Sequence, residues 1–188
     1  MKLSGYYQIN QNKQKVWEAL NDPEILKKTI PGCEEFIKKS ETEFTATATN
    51  KIGPFNASFT GDIELKDLNP PHSYKIIGSG NSPVGFANGE ALVKLEDLDG
   101  GTKLTYSVEA NVGGKIAQVG SRLIDMTAKK MADIFFGKFS ELIAEKKTTD
   151  QTEKKIKAEV PREKKTKNKM AIIFSLLIIV GIIIYYSS

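Results

Sequence analysis

The chain has one cysteine, one histidine and two arginines in 188 residues. A single cysteine excludes a disulfide framework and a multi-cysteine zinc site, and makes a reducing compartment the default expectation. So few histidines and arginines limit the catalysis that can be built. No Walker loop, HExxH, GxSxG or CxxC motif is present. Glycine and proline, at 15 and 7 residues, are too few for a collagen-like or low-complexity chain. What remains is an ordinary globular composition, 40% hydrophobic and 27% charged.

The net charge of +4 is unevenly placed. Lys146 to Lys169 holds ten basic and four acidic side chains, while Met1 to Glu145 holds 17 basic and 19 acidic ones. The larger part is therefore mildly acidic, which argues against a nucleic-acid-binding domain.

Three regions follow. Residues 170–186 (MAIIFSLLIIVGIIIYY) carry no charge over 17 positions. As a helix they would extend roughly 25 Å, the short end of a bilayer span. Lys167 and Lys169 suit one interface and Tyr185 and Tyr186 the other. The lysine-rich flank places the preceding chain in the cytoplasm. The expectation is a single-pass, tail-anchored protein of the cell membrane. Residues 147–169 are polar, lysine-rich and poor in large apolar residues, which predicts a flexible linker with a reach of roughly 25 Å. It serves either as a plain tether or as a segment lying against anionic headgroups.

Residues 1–146 form the domain. Leu3 to Ile9 reads as a strand and Lys13 to Leu20 as a short helix. Asp22-Pro23 caps and opens a second helix to about Thr29. Period-2 patterns follow. Phe44, Ala46 and Ala48 line one side of a strand, as do Phe55 to Leu65, Ala87 to Leu95 and Leu104 to Val112 at alternate positions. Gly53-Pro54, Asn69-Pro70-Pro71, Asn81-Ser82-Pro83 and Gly100-Gly101 separate them as turns. Gly78-Ser79-Gly80 falls inside a strand-like run and reads as a bulge or a close approach. A long helix over about Lys115 to Lys146 closes the domain, with Ile124, Ala128, Met131, Phe135, Phe139 and Leu142 on its apolar face.

The order β-α-α-β6-α predicts an α+β fold. A curved antiparallel seven-stranded sheet wraps around the long C-terminal helix in a helix-grip arrangement, followed by the transmembrane helix. The inward strand positions are small: Ala46, Ala48, Ala57, Gly61, Ala87, Gly89, Ala91 and Ala110. Either they let the sheet bend and the helix approach, or they leave an apolar ligand cavity. For the second reading Phe55, Phe59, Phe86, Met126, Met131 and Phe135 are the expected walls, with Ala91 and Tyr106 among the inward positions. Arg122 either pairs with a local carboxylate or hydrogen-bonds a ligand carbonyl at the cavity mouth, and Gln118 is a neutral alternative. His72 reads as a turn residue and Cys33 as a small buried one. No catalytic residue and no metal site is expected.

Several stretches carry a family resemblance. They are Trp17-Glu18-Ala19-Leu20 with Asp22-Pro23-Glu24, Ile30-Pro31-Gly32-Cys33, and Lys51-Ile52-Gly53-Pro54 with Phe59-Thr60-Gly61. Pro70-Pro71-His72-Ser73-Tyr74, Gly78-Ser79-Gly80, Ala87 with Gly89-Glu90-Ala91, and Gly100-Gly101-Thr102 continue the match. The last is Val112-Gly113-Gly114-Lys115-Ile116-Ala117-Gln118-Val119-Gly120-Ser121-Arg122-Leu123, with Phe135-Phe136 downstream. Over about residues 1–146 the chain resembles the carbon monoxide dehydrogenase CoxG family, within the START/Bet v 1-like (SRPBCC) superfamily. The resemblance implies a non-catalytic accessory protein linked to molybdenum hydroxylases of the carbon monoxide dehydrogenase type. It also implies recruitment of the enzyme to the membrane and a hydrophobic pocket suited to a quinone.

Two function classes stand foremost. The first is a membrane-tethered binder of a hydrophobic ligand, menaquinone or another lipid. The second is a ligand-free adaptor that recruits the enzyme. A polyketide-cyclase-type enzyme shares the fold by analogy, but among the inward positions only Tyr106 offers it an acid–base group.

Overall fold

The computed structural model describes residues 1–145; the expected linker and transmembrane helix lie outside them. Seven strands form one antiparallel sheet in the order β1-β7-β6-β5-β4-β3-β2. They are β1 (Lys2–Ile9), β2 (Cys33–Lys38), β3 (Glu43–Ile52), β4 (Phe55–Asn69), β5 (Ser73–Ser82), β6 (Gly85–Leu98) and β7 (Gly101–Gly113). From β2 to β7 every neighbour in sequence is a neighbour in space, so short turns close each hairpin.

Two short helices bridge β1 and β2. In α1 (Lys13–Leu20) the Asn12 side chain accepts from the Lys15 N–H at 2.8 Å. In α2 (Pro23–Thr29) Asp22 accepts from Glu24 and Ile25, and Pro23 takes the first position, where its missing N–H costs nothing. Helices this short are marginal alone. Val16, Trp17, Ala19, Leu20 and Ile25 bury their apolar sides and hold them in place.

The C-terminal helix departs from expectation at its start. The chain first makes a 3-10 turn over Lys115–Val119, passes through Gly120 at φ +88°, and only then forms α3 (Ser121–Glu145). That φ lies in the left-handed region, where a residue with a Cβ is strained, so the glycine ends one helical segment and allows another to begin. Beyond it Ala128, Met131, Phe135, Phe139 and Ile143 are buried, at spacings of three and four residues.

The Gly78-Ser79-Gly80 run pairs in unbroken register, Gly78 with Gly89 and Gly80 with Ala87. The irregularity between β4 and β5 sits instead between Lys66 and Asn69, where Asp67 has φ +51°. Charged residues occupy the outer face of the sheet, in pairs such as Lys39–Asp62 and Lys75–Glu90. Asp62 illustrates their balance: burial works against its charge, but hydrogen bonds from Lys39 and Thr45 prevail and lower its pKa.

Candidate functional site

Between the sheet, α2 and α3 the interior is not filled. A hollow of about 100 Å³ remains, bounded entirely by apolar side chains and two phenols. Its floor is the inner face of the strands: Phe44 on β3, Ile63 and Leu65 on β4, Tyr74 and Ile76 on β5, Ala91 and Val93 on β6, and Leu104, Tyr106 and Val108 on β7. Leu20 from α1, with Leu26 and Ile30 from α2 and the loop after it, forms one end. Met131, Ala132, Phe135 and Phe136 of α3 form the roof. Such a space has no groups to hold water and favours hydrocarbon.

A second hollow of about 20 Å³ lies near the start of α3, between Phe59, Phe86, Ala87, Val112, Ile116 and Ala128. Met131 belongs to both walls. The smaller space has room for little more than one water, and its walls offer that water no partner.

The expected walls divide between these spaces. Ala91, Tyr106, Met131 and Phe135 meet at the larger hollow, while Phe59 and Phe86 stand at the smaller one with Met131. Phe55 opens β4, is half-buried and lines neither. Met126 departs from its expected place: it is 61% exposed, because two residues from both Ile124 and Ala128 it falls on the outer side of α3. Arg122 and Gln118 also lie outside both walls, exposed to solvent. The break at Gly120 puts Gln118 on a separate 3-10 turn rather than one turn before Arg122 on a shared helix.

The small inward residues resolve into two uses. Ala91 opens into the larger hollow and Ala87 into the smaller. Ala46 and Ala48 are fully buried and line neither, so there the small side chain serves close packing. Gly5 on β1 makes room for a neighbour: a Cβ there would stand 2.6 Å from the Tyr106 hydroxyl oxygen. The Tyr106 ring therefore leans over β1 and stacks with Phe136 of α3 at 5.9 Å.

Polar chemistry at this site is confined to phenols. Burial raises the Tyr106 pKa, partly offset by a hydrogen bond with Tyr7. Tyr7 in turn donates to Asp133 of α3 at 2.5 Å, and burial first, then that bond, pushes its pKa far up. Tyr74, packed edge-on against Trp17 at 5.2 Å, is raised by burial alone. Cys33 is half-buried on β2, its thiol pushed up to about 11 mainly by burial, and it lies outside the hollow. Among the described residues no cluster of histidine, cysteine, aspartate and glutamate could hold a metal ion.

Tyr74, Leu20, Leu26 and Ile30 join the wall without a place among the expected residues. The alternation of Tyr74 with Ile76 is the available signal for the first. The others come from helices whose placement over the sheet is a tertiary matter.

A family model described as carbon monoxide dehydrogenase CoxG matches residues 5–144. Among solved structures, a conserved protein from Geobacillus kaustophilus is 33% identical, with a TM-score of 0.74 over 77% of this chain and 96% of its own. A Mycobacterium smegmatis protein is 17% identical, with a TM-score of 0.59 over 77% of this chain and 92% of its own. The Zhui aromatase/cyclase from a Streptomyces species is 11% identical, with a TM-score of 0.55 over 78% of this chain and 94% of its own. At those two lower identities the likeness is one of fold alone. No curated protein matches the chain.

Proposed function

The chain belongs to the carbon monoxide dehydrogenase CoxG family, and from that membership we propose a non-catalytic protein that holds a hydrophobic ligand beside the membrane. The ligand in this reading is an isoprenoid quinone or similar lipid, bound between the sheet and α3. The protein serves a molybdenum hydroxylase of the carbon monoxide dehydrogenase type, with residues 170–186 as the membrane anchor and 147–169 as the tether.

The observation that carries the reading is the uncharged hollow beneath α3. Binding there works by partition, at roughly 25 cal/mol for each Å² of apolar ligand surface removed from water. The tether confines the domain to a few tens of Å from the bilayer, so capture and hand-off become local events.

Size sets a condition. About 100 Å³ is less than the roughly 150 Å³ engineered cavity that admits benzene. A quinone ring therefore enters only as the roof lifts. The connections of α3 suit such a motion: Gly120 precedes it, and the side-chain hydrogen bonds tying it to the strand side are few, chiefly Tyr7 to Asp133 and Gln11 to the Ile143 carbonyl. The remaining contacts are apolar, and hydrocarbon of the ligand can replace them.

Trp17, the one tryptophan, offers a direct test, because it touches Tyr74 on the wall. Menaquinone added to the full-length protein in detergent is expected to quench its fluorescence saturably, with a midpoint that Ala91→Phe abolishes. Quenching that rises linearly and equally in both proteins contradicts ligand binding.

The modest volume also favours a second reading, a ligand-free adaptor whose interior is nearly closed. It predicts that Ala91→Phe leaves recovery of the molybdenum hydroxylase and its membrane attachment unchanged. Loss of both in that variant favours the ligand-dependent form.

A further inference from the structure

Tyr74 is the second residue of β5, 4% exposed, with its side chain on the wall of the larger hollow. Its place in the sheet is well defined. Tyr74 pairs with Val93 on β6, Val93 pairs with Tyr106 on β7, and Tyr106 pairs with Gly5 on β1, so both phenols of the wall lie on one rung. Their hydroxyls differ in one respect. Tyr106 is engaged with Tyr7, which continues to Asp133 at the sheet edge. The Tyr74 hydroxyl has no hydrogen-bond partner among the described residues.

A buried hydroxyl without a partner is disfavoured by roughly 1–3 kcal/mol. Phenylalanine would fill the same volume and keep the packing on Trp17 without that cost. Water is a poor substitute, since a held water needs two to four polar partners and the surrounding wall is hydrocarbon. Burial keeps the phenol neutral, so it presents an O–H and not a phenolate.

We propose that the Tyr74 hydroxyl is the hydrogen-bond donor for the polar end of the ligand, an apolar molecule bearing a carbonyl or comparable acceptor. The assignment rests on the ligand-binding reading above. It moves head-group recognition away from Gln118 and Arg122, which face solvent, to the floor of the hollow. It also orients the ligand: the acceptor sits deep, near Trp17 and α1, and the hydrocarbon extends under α3.

The test compares 2-methyl-1,4-naphthoquinone with 2-methylnaphthalene, which share rings and methyl group and differ by the two carbonyls. Binding of each to the full-length chain and to Tyr74→Phe is measured by calorimetry in the same detergent. The wild type is expected to prefer the quinone. Tyr74→Phe is expected to weaken quinone binding by about five- to tenfold and leave the hydrocarbon unchanged. Without ligand the variant should melt no lower than the wild type, because no bond is lost. Unchanged quinone affinity in the variant, or an equal fall for both compounds, overturns the assignment while leaving ligand binding intact. A melting temperature several degrees lower overturns it too, since the hydroxyl then has a structural partner. If the wild type binds neither compound, the ligand-binding reading itself falls, and the assignment with it.

Discussion

Ala91 shows how much one side chain decides at this site. It is 1% exposed and forms part of the floor of the hollow. Ala91→Phe directs a ring into space that is already open, so the usual overpacking penalty of about 1–3 kcal/mol should be met only at its lower end. Ligand affinity is expected to fall at least tenfold, with the thermal midpoint lowered by a few degrees at most. A variant that still binds as the wild type does would place the ligand elsewhere. Cys33 permits a different check. Its thiol is pushed up to about 11, mainly by burial and against the pull of Lys27. The folded state therefore favours the neutral thiol, and its contribution to stability is full below the unfolded value near 9 and declines as pH rises towards 11. At pH 8 Cys33 should react with iodoacetamide roughly a hundredfold more slowly in the folded chain than in urea. Equal rates would contradict its burial. The expectation of a small buried residue at Cys33 is met only halfway, since it is partly exposed at the start of the edge strand β2.

The elements with local signals follow their sequence closely. α1 and α2 begin at Asn12 and Asp22 caps, and α2 ends at Thr29 as the caps and Pro23 suggest. The strands follow because an alternating pattern has one consistent solution when a single face is buried. The break before α3 is harder to see. Ile116, Val119 and Leu123 continue a helical apolar spacing straight across Gly120, and only its positive φ distinguishes two segments from one. The same break explains the different placement of Gln118. The composition of the hollow is legible on the strand side, through Ala91 and Tyr106. It is not legible on the helix side, because no local pattern says which face of α2 covers which strand. Asp22→Ala is expected to cost about 1 kcal/mol by leaving two N–H groups of α2 uncapped, read from chemical denaturation. Because α2 brings Leu26 to the wall, ligand affinity should fall with it. Gly120→Ala meets open space but keeps a left-handed backbone, so a loss of about 1–2 kcal/mol is expected from strain alone. No change in the denaturation midpoint would show that α3 tolerates another start.

At the scale of the whole molecule, charge and hydrophobicity are sorted along the chain. A mildly acidic body precedes a basic segment and an uncharged run of 17 residues. The sheet carries its ion pairs outward and leaves its concave side to hydrocarbon. An arrangement of this kind performs no bond chemistry of its own in our reading. It lowers the free energy of a lipid outside the bilayer, at a distance set by the tether. The central claim is that the hollow under α3 holds such a molecule, and native mass spectrometry of the full-length protein extracted from its own membrane tests it most directly. The account predicts a mass increment matching one isoprenoid quinone or comparable lipid, absent from Ala91→Phe prepared in the same way. A spectrum containing the bare polypeptide alone, or the same increment in both proteins, would contradict it.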